Sequence, residues 1–126
     1  MKSSDPRLIQ RNPSTFAERA MTEGAFQEQV IDLAHLRRWT IAHFRSVKVT
    51  RADGSTYWQT PVQADGAGFP DLVLVRDGRL IFAELKRESG KLTPEQEGWL
   101  ELLRATSAGV YVFRPSDWAL IEELLR

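Results

Sequence analysis

Apolar residues recur at two different periods along the chain, and these periods predict an alternation of helices and strands. Positions 26, 30, 33, 34 and 36 form a helical stripe in TEGAFQEQVIDLAHLRRW, and Thr22 precedes it as a candidate N-cap. The segment TIAHFRSVKV, residues 40–49, alternates loosely and is rich in β-forming residues, which predicts one strand. TYWQT, in the loop that follows, could form a short edge strand.

The strongest local signal is a hairpin. Two strand-like runs, residues 71–76 and 79–86, flank the dipeptide Asp77-Gly78, which favours a two-residue hairpin turn. The second run, LIFAELK, is apolar on both faces as far as Glu84. Such a run is typical of a central strand that is covered on both sides.

The last third of the chain predicts helix, strand and helix. TPEQEGWLELLRA begins as a capping box, with Thr93 as N-cap, Pro94 at the first helical position and Gln96 at the third. GVYVF predicts a strand and PSDWALIEELLR a closing helix. The predicted order is therefore α-β-β-β-α-β-α, an α/β fold in which helices flank a mixed β-sheet.

Length and composition limit the alternatives. We expect residues 21–126 to form a single domain after a flexible N-terminal lead-in, residues 1–20. Cysteine is absent, which excludes disulfides and thiolate zinc sites and suits a reducing, cytoplasmic compartment. No apolar run approaches the ~20 residues that a membrane span needs.

Charge is balanced overall but not along the chain. The 17 basic and 17 acidic residues cancel, yet residues 1–60 carry 9 Lys and Arg against 6 Asp and Glu, whereas residues 61–126 carry 8 against 11. A purely electrostatic nucleic-acid binder is usually more basic. Any function on nucleic acid must therefore depend on local chemistry.

Three charged residues interrupt the predicted hairpin. Glu84 and Lys86 are two positions apart and share one face of their strand, and the hairpin brings Asp71 alongside. Paired carboxylates suit Mg²⁺, and a nearby ammonium can orient an attacking water beside a phosphate. The alternative is a solvated ion pair on an exposed sheet face. A buried strand disfavours it, because buried charges need partners or a metal.

These motifs resemble a known family. FPD at residues 69–71, AELK at 83–86 and a following helix with Gln96 resemble the PD-(D/E)xK nuclease superfamily, and residues 22–125 resemble its VRR-NUC branch, the virus-type replication and repair nucleases. The resemblance implies a restriction-endonuclease-like fold and a DNA endonuclease or nickase that depends on Mg²⁺ or Mn²⁺. It also implies no organic cofactor, a bacterial or phage-infected cell as the setting, DNA repair as the context and a possible homodimer.

The resemblance also implies a role for each residue of the site. Asp71 and Glu84 would bind the metal together with the backbone carbonyl of Leu85, and Lys86 would act near the attacking water. Gln96 would complete the site, although its capping-box position is an alternative explanation and one side chain cannot easily serve both roles.

A glutamate from the first helix is the remaining member, and two residues compete for it. Helical periodicity places Glu23 on the face of Phe26 and Val30, whereas Glu28 falls away from that stripe. We therefore choose Glu23. The alternative is that Glu23 merely favours the positive end of the helix dipole.

Contacts with DNA are predicted only weakly. The candidates are residues near the site that are basic or small, namely His43, Arg45, Lys48, Arg51, Gly68, Arg87 and Lys91. All four tryptophans are more often core or interface residues than base-stacking platforms, and Trp58, in the long loop near Lys48 and Arg51, is the one to test for DNA contact. The alternative function is a non-catalytic DNA-binding or assembly module that keeps the nuclease fold.

Overall fold

A computed structural model describes residues 13–44, 47–59 and 62–126. Within them the chain forms four α-helices and six β-strands. The helices are α1 (Phe16–Ala20), α2 (Glu23–Leu36), α3 (Pro94–Arg104) and α4 (Trp118–Leu124), the last preceded by a 3-10 turn at Pro115–Asp117. The strands are β1 (Thr40–His43), β2 (Val47–Thr50), β3 (Thr56–Gln59), β4 (Leu72–Arg76), β5 (Arg79–Leu85) and β6 (Gly109–Phe113).

The main sheet has the order β1-β4-β5-β6 and is mixed. β4 runs antiparallel to both β1 and β5, whereas β5 and β6 are parallel and are joined through α3. This arrangement confirms the predicted α/β fold with a mixed sheet and helices around it. It also places β5, the strand that carries Glu84, between two neighbours as the apolar run predicts.

The prediction of one strand over residues 40–49 is wrong. β1 pairs with β4 in the main sheet, but β2 pairs with β3 in a separate two-stranded sheet. The break has a physical cause. β4 begins at Leu72 after Pro70, which has no N–H to donate, so β1 has no partner strand beyond the bond from the Phe44 N–H to the Asp71 carbonyl at 3.0 Å. The predicted edge strand TYWQT is β3, and it lies in this second sheet.

Local capping and turn predictions are confirmed. The Thr22 hydroxyl accepts the Ala25 N–H at the start of α2, and Thr93 with Gln96 forms the capping box of α3. Asp77 and Gly78 both have positive φ, 50° and 77°, as a type I′ hairpin turn requires. Within the segment predicted as a lead-in, residues 16–20 form α1, and residues 1–12 lie outside the described part.

The core lies on one face of the main sheet. Side chains from α2, β4, β5, β6 and α4 are buried together there, including Phe26, Val30, Leu72, Leu74, Leu85, Phe113 and Ile121. The opposite face carries Phe82 and Glu84, and Gln96 of α3 contacts Glu84 there. No helix in the described residues is both long and apolar enough to cross a membrane.

Candidate active site

Sheet register makes Asp71 and Glu84 neighbours. β4 and β5 pair antiparallel with Leu72 opposite Ala83, and one position further along the same register Asp71 lies opposite Glu84. Directly opposed residues have side chains on the same face, with Cβ atoms roughly 5 Å apart. A hairpin whose turn fixes its register thus brings together two carboxylates that are 13 positions apart in the sequence.

Asp71 is held by the end of the strand that it faces. Its Oδ2 accepts the backbone N–H of Leu85 at 2.8 Å. Burial raises the pKa of Asp71, and this hydrogen bond acts in the opposite direction. The carboxylate is therefore fixed in position, and it also interacts with the side chain of Glu84.

Glu84 is the most buried charged residue of the described chain, with 2% of its surface exposed. Its Oε1 accepts a hydrogen bond from Nε2 of Gln96 at 3.0 Å, whereas no donor reaches its buried Oε2. Burial, reinforced by the negative charge of Asp71, raises the pKa of Glu84 to about 9. With this pKa the carboxyl group of Glu84 is protonated at neutral pH unless a cation replaces the proton.

Lys86 lies on the same side of β5 beyond Glu84. Its Nζ is 4.0 Å from Oε1 of Glu84, and only 13% of the side chain is exposed. Its charge lowers the pKa of both Asp71 and Glu84, but less than burial raises it. The ammonium is thus kept inside the cleft rather than in bulk water.

Gln96 makes two contacts at once, one in the capping box and one with Glu84, although the sequence suggested that these two roles were in conflict. Its Oε1 accepts the Thr93 N–H at 2.9 Å, which completes the capping box, while its Nε2 donates to Glu84. The conflict does not arise because the amide has an acceptor at one end and a donor at the other. The start of α3 is therefore tied directly to Glu84.

These side chains line one small cleft of about 180 Å³ at the edge of the sheet. Its lining includes Glu23, Asp71, Glu84, Lys86 and Gln96, together with the loop that carries Gly66 and Gly68. The structure thus brings together all five side chains that were predicted as catalytic. Their catalytic roles remain predictions.

Glu23 lies at the boundary between this cleft and a larger one. The larger cleft, about 690 Å³, is lined by the first turns of α2, by the end of β1 and by Asp71, and both Glu23 and Glu28 contribute to it. Burial and the charge of Asp71 raise the pKa of Glu23. Only Glu23 of the two lines both clefts, which agrees with the choice made from helical periodicity.

The carboxyl groups of Asp71 and Glu84, with Glu23 at the rim, are the candidate ligands for a divalent cation. As they stand, no three His, Cys, Asp or Glu side chains within residues 13–44, 47–59 and 62–126 are arranged to hold a metal ion. Nevertheless, all three carboxyl groups have raised pKa values, and the Glu84 Oε2 is buried without a donor. A hard cation with oxygen ligands would relieve both conditions.

The predicted DNA-contact residues are spread more widely. His43 lines the larger cleft, Arg87 is near enough to influence Glu23, and Arg45 lies outside the described residues. Lys48 and Arg51 belong to the β2–β3 sheet, whereas Lys91 is exposed before α3. Packing explains why residue 68 is a glycine. Its φ is 83°, and a Cβ there would lie 2.6–2.7 Å from backbone atoms of Glu95 and Gln96.

An aromatic support for the cleft was not anticipated. Phe69, directly before Pro70, makes edge-to-face contacts with Phe44, Phe82 and Trp99 at centroid distances of 5.4, 5.9 and 5.0 Å. Trp99 also donates from Nε1 to the Asp65 carbonyl at 3.0 Å. The aromatic residue immediately before the Pro-Asp pair was the available signal.

Fold, cleft and motif agree with the comparison to known families. The sequence profile of the VRR-NUC domain matches residues 21–117, and the chain therefore belongs to the VRR-NUC family. It is a nuclease-type domain. No individual curated protein and no solved structure shows a significant match.

Replacing Gln96 separates its two contacts. Gln96→Ala should reduce the free energy of unfolding by about 1–2 kcal/mol at all pH values, because both the cap and the donor to Glu84 are lost. Gln96→Glu keeps the acceptor of the capping box but puts another carboxyl group beside Glu84. Its free energy of unfolding should therefore decrease mainly at alkaline pH, where both carboxyl groups are ionised. Urea unfolding without divalent metal, at about pH 5 and pH 9, distinguishes the two.

Thr93→Ala provides the matched control for that comparison. It removes the hydroxyl that accepts the Gln96 N–H but leaves the bond from Gln96 to Glu84. Its stability loss should be about 1 kcal/mol and independent of pH. Equal pH dependence in Thr93→Ala and Gln96→Glu would contradict a special link between Gln96 and Glu84.

Proposed function

We propose that this domain is a DNA endonuclease or nickase that hydrolyses phosphodiester bonds with Mg²⁺ or Mn²⁺. The observation that carries the proposal is the pair formed by half-buried Asp71 and buried Glu84. Glu84 has an Oε2 without a donor and a pKa of about 9, which is an unfavourable arrangement for a protein without a cation. Membership of the VRR-NUC family supports the same conclusion.

Different hydrogen-bond partners hold the two proposed metal ligands, Asp71 and Glu84. Asp71 is held by the Leu85 N–H and lies beside Glu84, while Glu84 is oriented by Gln96 at Oε1 and has Oε2 as its proposed metal ligand. The carbonyl of Leu85, at the end of β5, is proposed as a further ligand. A divalent cation held by these residues would polarise the phosphate as a Lewis acid and would lower the pKa of water.

Lys86 is suited to the proton and charge movements of hydrolysis. Its largely buried ammonium lies 4.0 Å from Glu84, in the same cleft. From there it can orient an attacking water and stabilise negative charge that develops on phosphate oxygens. Hydrolysis then releases a phosphate end and a hydroxyl end on the cut strand.

The direct test is the nicking of supercoiled plasmid by purified protein with Mg²⁺ or Mn²⁺. We expect nicked circles that require the metal and disappear when EDTA is added in excess. Parallel reactions with labelled RNA of the same sequence would define whether the substrate is DNA alone. Tight DNA binding without cleavage under either metal would favour the non-catalytic module instead.

The two helix glutamates can be compared directly. Glu23→Gln should slow cleavage by about 10–100-fold, since Glu23 contributes charge at the rim of the carboxylate cleft. Glu28→Gln, one turn further along α2, should have a much smaller effect because Glu28 lines only the larger cleft. Initial nicking rates at several Mn²⁺ concentrations measure both. A larger loss for Glu28→Gln would reverse the assignment.

A further inference from the structure

The β2–β3 ribbon is the part of the described structure that the carboxylate cleft does not use. Residues 47–50 pair antiparallel with residues 56–59, and the two strands make no extensive contact with any other described helix or strand. The turn between them is ordered by Asp53, whose Oδ1 accepts both the N–H and the hydroxyl of Ser55 at 2.9 and 2.6 Å. The ribbon is thus a defined element that packs little against the other described helices and strands.

The described residues on either side of the ribbon segment make contacts near the cleft. Before the ribbon, the Phe44 N–H donates to the Asp71 carbonyl at 3.0 Å. After it, the Asp65 carbonyl accepts the indole N–H of Trp99, and Gly66 and Gly68 line the cleft. Described residues on both sides of the ribbon segment, Phe44 before it and Asp65 to Gly68 after it, therefore belong to the surroundings of the carboxylate cleft.

One face of the ribbon combines a cation, hydroxyl groups and an exposed indole. Register places Lys48 opposite Trp58 and Thr50 opposite Thr56, and opposed pairs in alternate positions share a face. Trp58 is 70% exposed. A largely solvated tryptophan on an element with no extensive contact to another described helix or strand indicates a contact surface for a partner.

The other face carries a second cation beside an aromatic ring. The guanidinium of Arg51 lies 4.0 Å from the centroid of the Tyr57 ring. The described ribbon thus has two cations against one acidic residue, Asp53, which is engaged within the turn. Interleaved cations and exposed aromatic rings suit an unpaired nucleic-acid strand, because bases stack on the rings and phosphates pair with the cations.

We propose that the β2–β3 ribbon holds an unpaired strand of DNA beside the cleft, with a base stacked on Trp58 and a phosphate paired with Lys48. This inference rests on the proposed function, since it assigns the substrate a single-stranded region near the cut. Four residues at ~3.3 Å each give the ribbon a length of ~13 Å, so it can contact only a short stretch of that strand. The substrate class is therefore DNA with unpaired nucleotides adjoining the scissile bond.

The test measures binding without cleavage. Wild-type protein in EDTA is titrated against a fluorescein-labelled oligothymidylate of about 16 nucleotides and against a blunt duplex of equal length. Trp58→Ala should weaken oligothymidylate binding by about tenfold or more, and Trp58→Phe should recover most of it. Lys48→Ala should weaken binding and reduce its salt dependence by about one phosphate contact.

Two control variants exclude general effects of removing exposed side chains. Leu80→Ala removes an exposed apolar side chain beside the Asp77–Gly78 turn, at the opposite end of β5 from the cleft. Arg126→Ala removes an exposed charge near the same end of the sheet, where the Arg126 carbonyl accepts a hydrogen bond from Arg76. Both should bind the oligothymidylate as wild type does, and all variants should unfold at the wild-type temperature.

Two results would overturn the proposal. One is unchanged oligothymidylate affinity in Trp58→Ala. The other is light scattering that shows Trp58→Ala converting a dimer into a monomer without any change in affinity, which would make the ribbon a contact between two copies of the chain. The readout is separate from cleavage. Metal-dependent nicking with normal binding by Trp58→Ala leaves the proposed function intact, whereas Trp58-dependent binding without nicking supports the ribbon alone.

Discussion

Glu84→Gln is expected to abolish metal-dependent nicking and, without metal, to make the protein more stable at alkaline pH. The variant loses the anionic oxygen that we assign to the cation. If several kcal/mol of transition-state stabilisation depend on that ligand, nicking should fall by roughly 10³-fold or more. The same substitution removes a carboxyl group whose ionised form is disfavoured by burial and by the charge of Asp71.

Glu84→Gln should lower activity but raise stability at alkaline pH, and the gain in stability follows from the proton on Glu84. Its pKa is about 9 in the folded protein, against an ordinary value of 4.5, so between these values the folded chain binds a proton that the unfolded chain has lost. The full contribution to stability is present below about pH 4.5 and is lost as the pH rises towards 9, by at most about 1.4 kcal/mol per pH unit. Glutamine carries no such proton, and its amide can donate to Asp71.

Urea unfolding in EDTA across this pH range, together with nicking assays, measures both effects. Wild-type stability should decrease from about pH 5 to about pH 9, and the Glu84→Gln curve should be flatter and higher at the alkaline end. Glu101→Gln, an exposed glutamate on α3, serves as the matched control and should follow wild type in both assays. A Glu84→Gln protein that nicks normally, or whose stability falls as steeply as that of wild type, contradicts the assignment.

Metal should reduce the decrease of wild-type stability with pH. A cation that binds the folded state at ~100 times its dissociation constant adds about 2.7 kcal/mol to the free energy of unfolding. This gain should increase with pH, because the cation competes with the proton on Glu84. In Glu84→Gln most of the gain should be lost, and Mn²⁺ melting curves at about pH 6 and pH 8.5 provide the measurement.

Lys86→Ala is expected to lose nicking by about 10²–10⁴-fold while it keeps its affinity for metal. The ammonium is close to Glu84 but cannot itself bind a cation, and its positive charge opposes one. Removing it should leave the Mn²⁺-induced increase in melting temperature unchanged or slightly larger. This combination separates Lys86 from the carboxylates, for which metal affinity and activity should fall together.

Lys86→Arg tests what the lysine contributes beyond charge. Arginine keeps the positive charge but does not release its proton under these conditions. If Lys86 only stabilises charge, the arginine variant should retain much of the activity, and if it also exchanges a proton, the variant should resemble Lys86→Ala. Nicking by Lys86→Ala at the wild-type rate would contradict any catalytic role. Arg126→Ala, at the far end of the sheet, controls for the loss of one positive charge.

Much of the architecture could be predicted because its signals are local. The type I′ turn at Asp77-Gly78, the capping box from Thr93 to Gln96 and the buried run of β5 each depend on residues within a few positions of one another. Two-residue periodicity then placed Glu84 and Lys86 on one face, and the hairpin placed Asp71 beside them. Helical periodicity similarly favoured Glu23 over Glu28.

The wrong prediction of one strand over residues 40–49 shows what local signals do not determine. Alternation predicts extended backbone but does not identify the partner strand, and here the partner of β1 stops at Leu72. The chain therefore leaves the main sheet and pairs with residues 56–59 instead. The separate ribbon that results carries Trp58 away from the core, a placement that hydrophobic patterning alone does not give.

The sequence by itself determined the class of the domain, its helix starts and hairpin turn, and the set of charged residues that could share a site. Only the tertiary structure decided that Gln96 both caps α3 and holds Glu84, and that Oε2 of Glu84 is buried without a donor. The reason is that turns and caps are stabilised by neighbours in sequence, whereas register, burial and desolvation depend on distant segments. The pKa of about 9 at Glu84 belongs to this second class, since it arises from burial and from a carboxylate on another strand.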